Sequence, residues 1–426
     1  MKKRLPIGIN KILMPFVDLA ECRKYRLYIV GGFVRDMFLG LENFDLDLVV
    51  EGNGVEFATE ISERLKVPVV PHKKFGTATV FLKYPARAEG LKIDIATARR
   101  EMYKTPAALP RVLPASIRED LFRRDFTINA LAISLNRNDY GCILDHFGGL
   151  GDLRKGLIRV MHDSSFIDDP TRIFRAVRFA ERYGFKIDAR TMFLIKSAVK
   201  KNMLNALSGH RIREEIRLIL KEDSPLKPVI RMKRLDNLKF ICPGMRFSKS
   251  ETELFRAIGR FYLEFRPYLN RDSSFDLWLV YFMALINRLD LTEVIRLSGR
   301  LAFSRRDCFK IATSKKLEKD IVELLTRRKI MAPSEIYRNL ESLQGETILF
   351  LMAKCGKRLM RKRVTDFMKS RALVKLEITG SDIKRLGIEP GAYFKRILKN
   401  TLYAKIDGKI KSRDDELKYA RRLFSG

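Results

Sequence analysis

Hydrophobic and polar positions along the first third of the chain follow two periods in turn. Residues 11–24 place Ile12, Phe16 and Leu19 on one stripe, which predicts a helix. Residues 27–30 are a short apolar run ending in Gly31-Gly32, the pattern of a strand entering a tight turn, and residues 34–39 resume as a helix. Residues 44–50 alternate. Phe44, Leu46 and Leu48 take one side and Asp45 and Asp47 the other, which is strand period. A helix over 55–65 and strands over 77–82 and 91–96 complete a mixed α/β unit.

Residues 100–116 hold Pro106, Pro110 and Pro114 among Tyr103, Lys104 and Arg111, and this composition predicts a long mobile loop. At Ser116 a cap residue followed by acids in the next turn predicts a helix start. Residues 143–147 and 158–161 are the last strand candidates. From Asp169 the pattern is almost entirely helical. Breaks fall at Asp223-Ser224-Pro225, Cys242-Pro243-Gly244, Ala332-Pro333-Ser334 and Pro390-Gly391. The longest apolar run, 277–286, is about half of what a bilayer requires, so it predicts a buried helix with Trp278 in the core and no membrane partner.

A length of 426 residues suggests two to four domains. Charge changes the picture more. Lys and Arg number 84 against 51 Asp and Glu, a net +33. Only +5 of that lies in residues 1–150; +28 lies in 151–426, and residues 351–426 alone carry +13. A chain this basic neutralises a polyanion, nucleic acid first. Lys357, Arg358, Arg361, Lys362 and Arg363 crowd one late segment and suit the phosphates of a folded RNA read by shape. The five cysteines form no CxxC pair, which argues against a cysteine zinc site and for a reducing, cytoplasmic setting. The basic start lacks the apolar run of a signal peptide.

The acids of the first third suggest chemistry. Asp45 and Asp47, two apart on a strand, share a face and can chelate a hard divalent cation such as Mg²⁺. Alone, Asp-x-Asp also describes a solvated strand face. Upstream, Gly31-Gly32-Phe33-Val34-Arg35-Asp36 lies where a strand becomes a helix. Glycines there let backbone approach a phosphate, and a helix start favours anions. A phosphate cradle followed by a carboxylate pair describes a nucleoside triphosphate site. Asp94, in another alternating segment, is a third acid that a neighbouring strand could bring beside the pair.

The series Gly31-Gly32-Phe33-Val34-Arg35-Asp36, Asp45-Leu46-Asp47, Arg123-Arg124-Asp125-Phe126-Thr127-Ile128-Asn129-Ala130 and Asp168-Asp169-Pro170-Thr171-Arg172 resembles the class II tRNA nucleotidyltransferases. These include CCA-adding enzymes and the related bacterial poly(A) polymerases. The strong motifs cover residues 25–215; the segments 378–382 and 386–391 resemble the family's tail. The resemblance implies an α+β fold: a polymerase beta-like head with a mixed sheet and helices at 1–148, then a helical neck (149–222), body (223–330) and basic tail (331–426). It implies that Asp45 and Asp47 bind two metal ions and that Gly31, Gly32 and Arg35 meet the triphosphate. It puts Arg124, Asp125 and Asn129 near ribose and phosphates, makes Asp169 and Arg172 the base readers, and adds Arg175 and Arg178 as nucleotide contacts. It implies transfer from CTP or ATP to a tRNA 3′ end, as CCA, CC or A. A poly(A) polymerase and an RNA-binding protein with an inactive site are the alternatives. The proline-rich loop would assist the change from C to A. The family's motif usually begins with Glu where this chain has Asp168.

The spacing agrees. Arg172, Arg175 and Arg178 recur every three residues, with Asp169 three before them, and on a helix they drift slowly along one face. A carboxylate only accepts hydrogen bonds and a guanidinium only donates them. Cytosine and adenine offer an amine beside a ring-nitrogen acceptor, so an Asp with an Arg fits them and mismatches uracil and guanine.

Overall fold

The computed structural model describes residues 5–84, 87–103, 105–108, 110–269, 274–385, 387 and 391–425. The basic start 1–4, Lys104, and most of the tail-like segment 386–391 (386 and 388–390) lie outside them. The chain forms two compact units, Met1–Glu215 with Arg231–Phe240, and Ile216–Ile230 with Ile241–Gly426.

The first unit is built on a seven-stranded sheet. Its strands are β1 (Arg26–Val30), β2 (Leu46–Glu51), β3 (Val69–His72), β4 (Thr77–Tyr84), β5 (Arg87–Thr97), β8 (Ala132–Ser134) and β9 (Ile143–Leu144), with β6 (Arg99–Met102) and β7 (Arg111–Pro114) forming a separate hairpin. The spatial order is β3-β4-β5-β2-β1-β8-β9. Only β2 and β5 run parallel; the other pairs are antiparallel. Helices α1 (Ile7–Cys22), α2 (Gly32–Leu39), α3 (Gly54–Leu65) and α4 (Ile117–Phe122) pack on it. Ile117 and Leu121 of α4 meet Tyr28, Val30 and Val49 in one core cluster. The intervening residues Leu46, Leu48 and Val50 are buried too, so β2 is a central strand. Ser116 caps α4 through a reciprocal capping box with Glu119.

Prolines mislead at 100–116. The predicted loop is instead the β6–β7 hairpin, in register from Arg99 opposite Pro114 to Met102 opposite Arg111. Proline is tolerated because Pro114 ends an edge strand and Pro106 and Pro110 lie outside the paired residues. The strands expected at 143–147 and 158–161 shrink to Ile143–Leu144 and Leu157–Ile158. The remaining helices of this unit that bear on function are α5 (Gly149–Lys155), α6 (Ser165–Asp168), α7 (Thr171–Tyr183), α8 (Ala189–Lys200) and α9 (Gly209–Leu220), the last continuing into the second unit.

The second unit is helical among its described residues. The apolar run forms the helix Leu277–Leu285, and Trp278 is buried in it as expected. No helix among the described residues is long and apolar enough to cross a membrane.

At the start of the helix Lys249–Leu269, Glu251 is buried and accepts from the Ser248 amide (2.8 Å) and hydroxyl (2.7 Å) and from Arg288 Nε (2.8 Å). Burial works against its ionisation, but Arg288 and Ser248 hold the carboxyl down at about 2. A depressed acid contributes stability that is full above its unfolded pKa, near 4.5, and lost as pH falls toward 2. Glu251→Gln is therefore expected to destabilise this unit by about 1–3 kcal/mol at pH 7, with the gap to wild type closing from pH 4.5 downward. Trp278 is the only tryptophan, so its fluorescence in denaturant titrations reads this unit directly.

Candidate nucleotide site

A cleft of about 740 Å³ in the first unit gathers residues from the β1–α2 turn, β2, the hairpin, the segment after α4, and α7. Antiparallel pairing sets Val30 opposite Asp47, so the glycine turn that follows Val30 sits next to that carboxylate. Gly31 has φ 73°, and a Cβ there would stand 2.9 Å from Arg124 Nη1 and 3.4 Å from Asp47 Oδ2. Glycine is thus favoured by conformation, while a Cβ would only displace the mobile end of Arg124. The turn opens α2, whose N-terminal residues Gly31 and Gly32 line the cleft.

Asp45 and Asp47 both line the cleft, Asp45 exposed just before β2 and Asp47 half-buried within it. Burial pushes the Asp47 carboxyl up to about 6, against the pull of Arg124 and with the repulsion of Asp45 and Asp94 added. Among the described residues no side chain donates a hydrogen bond to it. A half-buried carboxylate beside two others, with its nearest cation insufficient, fits a bound divalent cation. Asp94 is Asp47's register partner across the parallel β2–β5 pair. Its oxygens are already engaged, Oδ1 by Thr79 Oγ1 at 2.5 Å and Oδ2 by Lys92 Nζ at 2.6 Å. The three acids do not converge as a metal cluster among the described residues. Asp94 stands beside the pair and not within the cleft lining.

The arginines divide into held and available groups. Arg35 is 5% exposed. Its Nε and Nη2 go to Asp36 (2.8 and 2.9 Å) and its Nη1 to Asn129 Oδ1 (2.6 Å), with the Tyr183 ring 4.8 Å away. Asn129 in turn donates to Asp125 Oδ1 at 2.9 Å, and Asp125 Oδ2 takes Arg175 Nη2 at 2.6 Å. Burial opposes ionisation of Asp125, yet Arg175 and Asn129 outweigh it and hold the carboxyl below its usual range. Arg124 gives Nη2 to the buried Asp120 at 3.0 Å, which leaves Nη1 beside the glycine turn.

Asp169 and Arg172 both line the cleft but are not bonded to each other through their side chains. Arg172 donates to Ser165 Oγ and to the Arg123 carbonyl, each at 2.7 Å. Asp169 is met by Thr171 and Arg211. They stand in the cleft as a separate acceptor and donor. Arg178 does not line the cleft. It is buried, with its guanidinium over the ring of Phe179, 4.6 Å from the centroid. The three-residue spacing drifts about 60° per step on a helix, enough to carry the last arginine off the face. Asp168 lies near Ser164 and His162.

Residue pattern missed Glu101 and Tyr103. The hairpin delivers both into the cleft, Tyr103 Oη donating to Glu101 at 2.7 Å and Glu101 pairing with Arg123 at 3.1 Å. Nothing local in the sequence marks them.

In the second unit Lys357, Arg358, Arg361 and Lys362 are exposed, and Arg361 pairs with Glu264 at 2.7 Å. Arg363 differs. It is 6% exposed and donates to the carbonyls of Leu324, Arg327 and Lys329. Arg363→Ala is expected to destabilise this unit by about 2–3 kcal/mol by orphaning those carbonyls, whereas Lys362→Ala, at an exposed side chain, leaves the Trp278 unfolding curve in place. Equal stability of the two variants would contradict the buried role.

Residues 27–159 match the Poly A polymerase head domain family. The chain is 38% identical, over 99% of its length, to an A-adding tRNA nucleotidyltransferase of Geobacter sulfurreducens, and spans about half (48%) of that relative. It is 32% identical to an A-adding tRNA nucleotidyltransferase of Halalkalibacterium halodurans, over 97% of this chain and 92% of that one. A solved Thermotoga maritima CCA-adding enzyme complexed with tRNA superposes with a TM-score of 0.70 at 32% identity, over 99% of this chain and 97% of that chain. Enzymes of this kind generally use a divalent metal. Matched to relatives over nearly its whole length in both sequence and fold, and to the Poly A polymerase head domain over 27–159, the chain belongs to the tRNA nucleotidyltransferase family.

Proposed function

We propose that the chain transfers a nucleotide from ATP or CTP to the 3′ hydroxyl of tRNA, releasing pyrophosphate, with Mg²⁺ as the metal and the cytoplasm as its setting. The observation that carries this reading is one cleft holding a carboxylate pair, a glycine turn at a helix start, and a separate Asp acceptor and Arg donor. Relatives spanning nearly the whole chain are named A-adding, so addition of the terminal A to tRNA ending in CC is the reading favoured over the full CCA. The division into head, neck, body and tail at 148, 222 and 330 belongs to the same proposal.

Asp45 and Asp47 would hold the metal. When bound, a divalent cation of this type lowers the pKa of the attacking hydroxyl and stabilises the leaving pyrophosphate. The protein's own part is placement. The α2 N-terminus and Arg124 Nη1 offer donors to phosphate oxygens. Asp125, held by Arg175 and Asn129, is rigid enough to orient a ribose hydroxyl. Asp169 and Arg172 face the base. The exposed cations of the second unit grip RNA backbone, so raising salt weakens RNA binding far more than nucleotide binding.

The test is incorporation of labelled ATP and CTP, supplied separately, into tRNA ending in CC, tRNA lacking CCA, and unrelated RNA. One A added to tRNA-CC is expected. CTP added to tRNA lacking CCA indicates the full activity instead, and long A tracts on any RNA indicate a poly(A) polymerase.

A further inference from the structure

Three donors converge on a single oxygen of Asp169. Oδ1 accepts from the Thr171 amide at 3.0 Å, from Thr171 Oγ1 at 2.6 Å and from Arg211 Nη2 at 2.7 Å. Among the described residues no donor reaches Oδ2. A carboxylate oxygen has two lone pairs, so Oδ1 is saturated and Oδ2 is the acceptor that remains for a ligand. Arg211 is itself fixed at a second point. Its Nη1 donates to the Ala107 carbonyl at 3.0 Å, and the Ala107 amide is tied to the Ile167 carbonyl at 3.3 Å. Ala107 holds φ 61°, a left-handed conformation that a non-glycine residue keeps only when its surroundings demand it. Arg211 does not line the cleft.

Resting on the reading of this cleft as the nucleotide site, we propose that Arg211 is a positioning residue for base selection. By holding Oδ1 from behind it stops rotation of the Asp169 carboxylate, so that one acceptor, at one place, meets the incoming base. A base with an amine at that place is accepted. A base presenting a carbonyl there meets an acceptor that cannot turn away. Releasing the carboxylate lets it rotate, and the wrong bases gain relative to the right ones.

The test is a double-mutant cycle on Asp169→Ala and Arg211→Met, reading kcat/KM for ATP, CTP, GTP and UTP on the same tRNA. Arg211→Met is expected to lower discrimination against GTP and UTP by about tenfold, with the KM for tRNA unchanged. In the Asp169→Ala background it is expected to lower discrimination no further, because residues acting through one group are non-additive. Arg211→Lys, which can still donate to Oδ1, recovers part of the loss. Thr171→Val removes one donor to the same oxygen without touching Arg211 and lowers discrimination by about threefold, which keeps the test open should Arg211→Met fold poorly. Unchanged discrimination in folded Arg211→Met, or in Thr171→Val, overturns the proposal, as does full additivity with Asp169→Ala. A wild-type protein that incorporates nothing overturns the nucleotide-site reading itself and the proposal with it.

Discussion

Replacing Asp45 and Asp47 together by alanine is expected to lower nucleotide incorporation by at least about a thousandfold, while tRNA affinity changes by less than about twofold. The separation follows from where the charges lie. The carboxylate pair sits in a cleft of the first unit, and the exposed cations Lys357, Arg358 and Lys362 sit in the second. The backbone neutralisation proposed for the latter does not depend on the former. Asp47→Asn alone should cause most of the loss, since Asp47 is the half-buried member, pushed up to about 6 and, among the described residues, without a side-chain hydrogen-bond donor. A variant that binds RNA poorly as well as failing in transfer would show that these acids shape the protein and do not serve chemistry.

Asp169→Ala and Arg172→Ala carry the second large effect, on choice of nucleotide. Each is expected to reduce discrimination against GTP and UTP by roughly ten- to a thousandfold, because a buried polar group left unmatched is what rejects the wrong base. The two should differ in side effects. Asp169 is held through one oxygen by the Thr171 amide and hydroxyl and by Arg211, so the side effect of its removal is confined to the start of α7, where that amide loses its acceptor. Arg172 also bonds the Arg123 carbonyl and Ser165, so its loss loosens the segment that carries Arg124 and Asp125 and lowers kcat for the correct nucleotide too. Parallel kinetics with all four nucleotides check both statements. Nucleotide preference unchanged in both variants would remove them as base readers.

Much of the first unit was legible because its functional residues sit on regular elements. Period two placed Asp45 and Asp47 opposite a buried set, and Leu46 and Leu48 are indeed buried. Glycine at 31 was readable as a tight turn between strand and helix, and it holds φ 73° there. Other features were not legible for identifiable reasons. Strand β8, Ala132–Ser134, is buried at every position, so it has no alternation to detect. The β6–β7 hairpin was hidden by prolines that lie at its end and outside its paired residues. Arg211 reaches Asp169 from 42 positions away, and Glu101 reaches Arg123 across 22; no local pattern encodes such contacts. Arg363 was misread because a count of charges cannot tell an exposed guanidinium from one spent on three carbonyls. Arg178 falls outside the cleft lining because a three-residue repeat does not keep to one face of a helix.

The most direct single measurement is transfer from α-labelled ATP to tRNA ending in CC, run with wild type and with the Asp45→Ala/Asp47→Ala variant at matched tRNA occupancy. One labelled A per tRNA with wild type, and none with the variant, is the predicted result. Label incorporated equally by both proteins, or by neither, would contradict the assignment of this cleft as a nucleotidyl-transfer site.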